Sequence, residues 1–343
     1  MTSSGARKSI HDGSINMNLF AKFRFAYLVV ASLIGTSQAQ PAPGMHKIGF
    51  VNAGPAGPNA ANLAAVKEGL AELGYVEGKN LELIVRWADG RPERLPALVA
   101  EIMATKPKLI LSTGGPVTTK AVVAGAPNFP VVFISGNPLR EQLVSNLARP
   151  GGQLTGIAVL ASQLESKRLE LLKQLVPKVK RVGMIWNPDG VGMQDYIKEV
   201  ELAAKRLNLD LVDLRARTVA ELDQALADVA KARVDALFVV SDPVLGFERK
   251  RIIDFAMAQK LPGIYFWREF AEIGGLASYG TNLPAVYRRL GYYADKILKG
   301  TKPGDLPIEQ PTQFAFVINS TTAAALKIPI SPELMLRADE VIK

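Results

Sequence analysis

Two hydrophobic periodicities alternate from residue 46 to about residue 300, and this alternation constrains the fold more than any other feature. Short β-branched runs at residues 48–52, 109–113 and 131–135 read as strands. Between them Leu63, Val66, Leu70 and Leu73 recur at helical spacing, with Gly74 as a stop. Ser162 with Glu165, and Thr218 with Glu221, have the three-residue spacing of capping boxes, in which a hydroxyl and a carboxylate satisfy free backbone N–H groups at a helix start. Pro177 ends the first of these helices. Gly300 ends the one carrying Val286, Leu290, Tyr293 and Ile297. Strands separated by helices give parallel sheets covered on both faces.

The pattern is repeated. Strand starts at Arg181, Asp235 and Leu261 follow those at Lys47, Lys108 and Phe129 by 134, 127 and 132 residues. Near-constant offsets predict two lobes of one α/β topology, each a doubly wound parallel sheet. Such sheets bind ligands outside the carboxyl ends of their strands. The candidates in the first lobe are therefore Asn52, Ala53, Gly54, Thr113, Gly114, Gly115, Ser135 and Asn137. Those in the second are Asn187, Asp242 and Trp267. Thr113-Gly114-Gly115 ends a strand and opens a helix, where backbone N–H groups favour an anion. Asp242 either accepts from a ligand or caps the following helix. Asn52 and Asn187 hold equivalent strand ends. Alternation along a strand places Phe266 on the face opposite Tyr265 and Trp267, so one set is core. Arg140 is expected to face solvent. These are hydrogen-bonding and aromatic groups without a proton-transfer pair, so binding without catalysis is expected.

Composition removes most alternatives. The chain has no Cys and two His, His11 and His46, so thiolate chemistry, lipidated Cys and His-ligated metal centres are not expected, and no cofactor is implied. Residues 18–39 place Lys22 and Arg24 before an apolar run at residues 25–35 and end Ser37-Gln38-Ala39, the order of a secretory signal cleaved after Ala39. The run is shorter than the roughly 20 residues of a membrane span. Met17 would start a signal of ordinary length, so residues 1–16 read as an over-called start. Cleavage lowers the net charge from +9 to +6. The basic residues form no stripe with interleaved aromatics, so nucleic acid is not an expected partner. Gly54-Pro55-Ala56-Gly57-Pro58 lacks the lysine and hydroxyl of a phosphate-binding loop.

Several segments together resemble the substrate-binding proteins of bacterial ABC importers, in the group that includes tryptophan- and phenylalanine-type binding proteins. They are residues 69–80 (GLAELGYVEGKN), 86–90 (RWADG), 149–156 (RPGGQLTG), 167–172 (KRLELL), 274–280 (GGLASYG), 297–300 (ILKG) and 336–342 (LRADEVI). The resemblance spans residues 46–342. It implies a type I periplasmic-binding-protein fold with two lobes, residues 45–157 plus 280–310 and residues 158–279 plus 311–336. Three crossover segments are implied near residues 155–160, 278–282 and 307–312, which puts Tyr279 at the hinge or against the ligand. It further implies a monomer in the periplasm that delivers a small solute to an ABC permease, and the absence of Cys leaves it without a lipid anchor. The alternative is a periplasmic sensor docking on a chemoreceptor or kinase ectodomain. Where many members carry Asp-Pro, this chain has Asn137-Pro138. Asn holds a ligand ammonium less well than Asp, so an aromatic or carboxylate-bearing solute is expected over a free amino acid.

Overall fold

The structure, a computed structural model, describes residues 44–159, 164–190 and 193–343. The secretory-signal reading and the Ser162 end of the first capping box lie outside these residues.

Five strands form the first sheet: β1 (His46–Asn52), β2 (Leu81–Trp87), β3 (Leu109–Thr113), β4 (Val131–Ser135) and β5 (Leu154–Ala158). Their order is β2-β1-β3-β4-β5, all parallel. Side chains along a strand alternate between faces, and both faces here are buried. Ile48, Phe50, Leu109 and Leu111 therefore join one core with Val66 and Leu70 of α1 (Ala60–Ala71). Val51 and Ile110 join another, with residues of α2 (Leu95–Ala104) and α3 (Pro116–Gly125).

The chain then crosses into a seven-stranded sheet of order β12-β11-β10-β9-β8-β6-β7. Helix α4 (Glu165–Leu175) leads into β6 (Arg181–Trp186), α5 (Met193–Arg206), β7 (Asp210–Arg215) and α6 (Val219–Ala232). Strand β8 (Ala236–Val239), α7 (Pro243–Phe247), α8 (Arg249–Ala258), β9 (Gly263–Tyr265), α9 (Arg268–Glu272) and β10 (Ala277–Thr281) follow. Thr218 caps α6 by accepting from Glu221 N at 3.2 Å, while the Glu221 carboxylate accepts from Arg217 N. Met184 and Trp186 pack on the α5 side of the sheet, and Ile185 on the α6 side.

From β10 the chain returns to the first lobe as α10 (Leu283–Leu298), whose Val286, Leu290 and Tyr293 enter the core with Ile48 and Phe50. It crosses back a third time before β11 (Phe314–Asn319), α11 (Ser320–Ala325), α12 (Pro332–Arg337) and β12 (Glu340–Ile342). Entering from the far lobe, β11 runs antiparallel to β10, the one antiparallel pair of the second sheet, and β12 completes that sheet to residue 342.

Candidate functional site

The carboxyl ends of β3, β4, β8 and β9 border one cavity of about 180 Å³. Both lobes build its wall. Gly114 and Gly115 come from the turn between β3 and α3, and Ser135, Asn137 and Glu141 from the loop after β4. The second lobe contributes Ser241 and Asp242 after β8, Phe247 from α7, Phe266 and Trp267 after β9, and Tyr196 from α5. Helix α10 adds Leu283 and Tyr287, and the α1 region adds Asn59 and Asn62.

Six of the sequence-derived candidates therefore meet at the cavity: Gly114, Gly115, Ser135, Asn137, Asp242 and Trp267. Phe266 lies there with Trp267, because β9 ends at Tyr265 and strict alternation stops with it. Tyr265 is buried in the second-lobe core, stacked on Phe270 at 4.7 Å, and Phe266 belongs to the same core.

The other six do not line the cavity. Asn52 is fully buried; its Nδ2 donates to Thr113 Oγ1 at 2.8 Å, and its Oδ1 accepts from Gly54 N at 2.7 Å. These bonds fix the turn that presents Gly114. Ala53 accepts from Gly90 N. Gly54 lies against the ring of Phe247 from the opposite lobe. Asn187 donates to Asp242 Oδ2 at 3.1 Å and accepts from Asp189 N at 3.0 Å. Tyr279 packs against the second-lobe core and Phe314, and its carbonyl accepts from Arg168 Nη1 at 3.1 Å.

Asp242 takes the capping role at α7, accepting from Val244 N and Leu245 N at 2.8 and 3.1 Å, and it also borders the cavity. Burial pushes its carboxyl up, against the opposing pull of those hydrogen bonds and Asn187. Arg140 is exposed, as expected, and it also reaches across the cleft. Its guanidinium sits 4.5 Å from the Tyr196 ring centroid and 3.5 Å from Glu199, both on α5.

Sequence reasoning passed over Glu141, Glu165, Tyr196 and Tyr287. The Glu141 carboxylate accepts from Ser135 Oγ and, at 2.9 Å, from Asn137 N. Burial raises its pKa, partly countered by those bonds. Glu165, at the start of α4, accepts from Ser241 N at 3.0 Å and pairs with buried Arg168. Arg168 also donates to Ser241 Oγ at 2.9 Å. Tyr287 is pushed up to about 12 by burial, with Thr113 and Asn52 as hydrogen-bond partners. Glu141 did carry a signal, four residues after Asn137 in a strand-end loop. The other three lie in or at the start of helices, and only lobe packing turns them toward the cavity.

The arrangement can hold a small molecule by its rings and polar atoms. A family model for ABC transporter substrate binding proteins matches residues 58–342. A tyrosine-binding protein of Clostridioides difficile is 26% identical over 258 residues, covering 75% of this chain and 74% of that protein. A conserved domain protein from Vibrio cholerae superposes with a TM-score of 0.79 at 25% identity, over 87% of this chain and 99% of the other. A Streptococcus pneumonia ABC domain in complex with L-Trp does so with 0.78 at 23%, over 87% and 100%. The two lobes thus have the type I periplasmic-binding fold, and the chain belongs to the ABC transporter substrate binding protein family.

Proposed function

We propose that this solute-binding protein is exported to the periplasm, captures a small aromatic solute between its lobes and delivers it to an ABC permease. The observation that carries the reading is the cavity: both lobes wall it, and Tyr196, Phe247, Phe266, Trp267 and Tyr287 line it with rings. Rings give large apolar contact with defined geometry, and edge or face packing adds about 0.5–1.5 kcal/mol per pair beyond burial. The two relatives named for tyrosine and crystallised with L-Trp carry ligands of that shape. A solute that touches both lobes at once stabilises the closed form, and closure is driven by that difference in affinity. The closed form is what the permease receives, and a monomer suffices for this cycle. Export rests on the charged, apolar and small-residue order of residues 18–39. No helix among the described residues is long and apolar enough to cross a membrane.

The test is native mass spectrometry of protein purified without denaturation, followed by melting curves with the solute found. An aromatic solute that raises the melting temperature by mass action supports the reading. Solution scattering should show a smaller radius with the solute bound. An unchanged profile at saturation would remove the closure mechanism.

A further inference from the structure

Three polar atoms in the cavity wall, each buried, have no hydrogen-bond partner among the described residues: Glu165 Oε2, the Tyr196 hydroxyl and Asn62 Oδ1. Glu165 is the most constrained of them, with 1% of its surface exposed. Its other oxygen is committed to Ser241 N and the Arg168 guanidinium, and Arg168 reaches on to the Tyr279 carbonyl. The carboxylate is therefore held rigidly, in a residue that lines the cavity, with one oxygen left without a donor.

The remaining two carboxylates of the wall are spent internally. Glu141 accepts through both oxygens, from Ser135 Oγ and Asn137 N. Asp242 accepts from Val244 N and Leu245 N on one oxygen and from Asn187 on the other. Among the described residues no lysine, arginine or histidine lines the cavity. A buried carboxylate oxygen without a donor is costly, and a charged donor is the partner that satisfies it best. A carboxylate brought to the same place has no proton to offer Oε2, so two acceptors would face each other without a donor.

We propose that Glu165 Oε2 accepts a hydrogen bond from a protonated nitrogen of the solute, beside the Tyr196 hydroxyl, so that the cleft selects cationic nitrogen and rejects solutes whose only charge is a carboxylate. This rests on the reading that the cavity takes an aromatic solute. Glu165 also links the solute to the crossovers. Its position at the start of α4 and its Arg168–Tyr279 connection join the first and second crossings between lobes.

The test uses the full chain and probes that share a ring and differ in one group: tryptamine, tryptophol and indole-3-acetate, with tyramine, tyrosol and 4-hydroxyphenylacetate as a second set. A hydrogen bond to a charged group contributes about 1.5–3 kcal/mol, so the amine of a set should bind about 10- to 100-fold tighter than its alcohol. The acid should bind weakest. In Glu165→Gln the amine and alcohol should converge to within about threefold, whatever the change in their common affinity. If that variant does not fold, the wild-type ratios decide. Acids or alcohols that match the amines, or a preference unchanged in E165Q, would overturn the inference and leave the aromatic reading standing. If no probe of either set binds, the aromatic reading falls and this inference with it.

Discussion

Gly54, at the end of β1, packs against the ring of Phe247 on α7 of the opposite lobe: a β carbon at Gly54 would lie 2.4 Å from Phe247 Cζ. Gly115 makes a second such approach, 3.0 Å from Pro243 Cγ. The lobes meet here through glycine, so any side chain at Gly54 opposes closure without touching either core. Gly54→Val should weaken solute binding about 5- to 150-fold, the equivalent of a 1–3 kcal/mol overpacking cost. The melting temperature of the solute-free protein should stay near wild type. Calorimetric titration beside a melting curve checks both, and a variant that loses stability but keeps its affinity contradicts the closure role.

Arg140 latches the opposite side of the cleft. It belongs to the loop after β4, yet its charge lies over Tyr196 and near Glu199, both on α5. The pair is partly exposed, so its share is that of a surface ion pair plus a cation–π contact, about 1 kcal/mol together. Arg140→Ala should raise the solute dissociation rate about fivefold. The difference should shrink at high salt, because the exposed ion pair is screened. Stopped-flow release at low and high ionic strength reads this directly; equal rates for both proteins would discard the latch.

Glu141 gives the protein a pH dependence with a definite sign. Its carboxyl is held above the ordinary 4.5 by burial. Below 4.5 the group is protonated in both folded and unfolded chains, and its contribution to stability is fully present. As pH rises through the folded-state value, the buried group must ionise, and that contribution is lost. Lowering the pH from 8 to 5 should therefore benefit wild type more than Glu141→Gln, whose amide can still accept from Asn137 N. Asp242 shifts in the same direction but is common to both proteins, so it cancels in the difference. Melting curves across this range settle the matter, and identical pH profiles would count against a buried ionising Glu141.

The fold was legible because strand and helix periodicities differ and are both strong here. Val51 and Phe50 fall into different cores for the reason alternation anticipates. Strand ends likewise led to Gly114, Ser135, Asp242 and Trp267. Beyond that the sequence is silent for a physical reason. Asn52 and Asn187 sit at strand ends as expected, but their amides serve the neighbouring turns, and a short polar side chain bonds locally as readily as to a ligand. Tyr196 and Tyr287 look like ordinary core positions of amphipathic helices. They reach the cavity because the lobes meet, which is a property of tertiary packing and has no period. Arg140 shows the same limit: it is exposed as a loop arginine should be, and only the opposite lobe supplies Tyr196 and Glu199.

Gly69 on α1 and Gly291 on α10 set the spacing of the two helices that carry first-lobe wall residues. A β carbon at Gly291 would lie 2.5 Å from the Gly69 carbonyl carbon, and one at Gly69 would lie 2.1 Å from the Arg288 carbonyl oxygen. These are backbone atoms, so nothing nearby can swing away. Asn62 stands about two turns before Gly69 on α1, and Tyr287 about one turn before Gly291 on α10, and both line the cavity. Gly291→Ala gains about 0.5–1 kcal/mol of helix propensity but costs about 1–3 kcal/mol in overpacking, so the variant should be net destabilised. At about 2–4 °C per kcal/mol for a unit of this size, its melting temperature should fall by several degrees. Forcing the helices apart also moves the Tyr287 ring, so solute affinity should fall with stability. Gly57→Ala is the control: nothing lies within 4 Å of its β carbon, and it should change stability by no more than about 0.5 kcal/mol. A Gly291→Ala protein as stable as that control would mean that α1 and α10 separate freely and do not hold the wall in place.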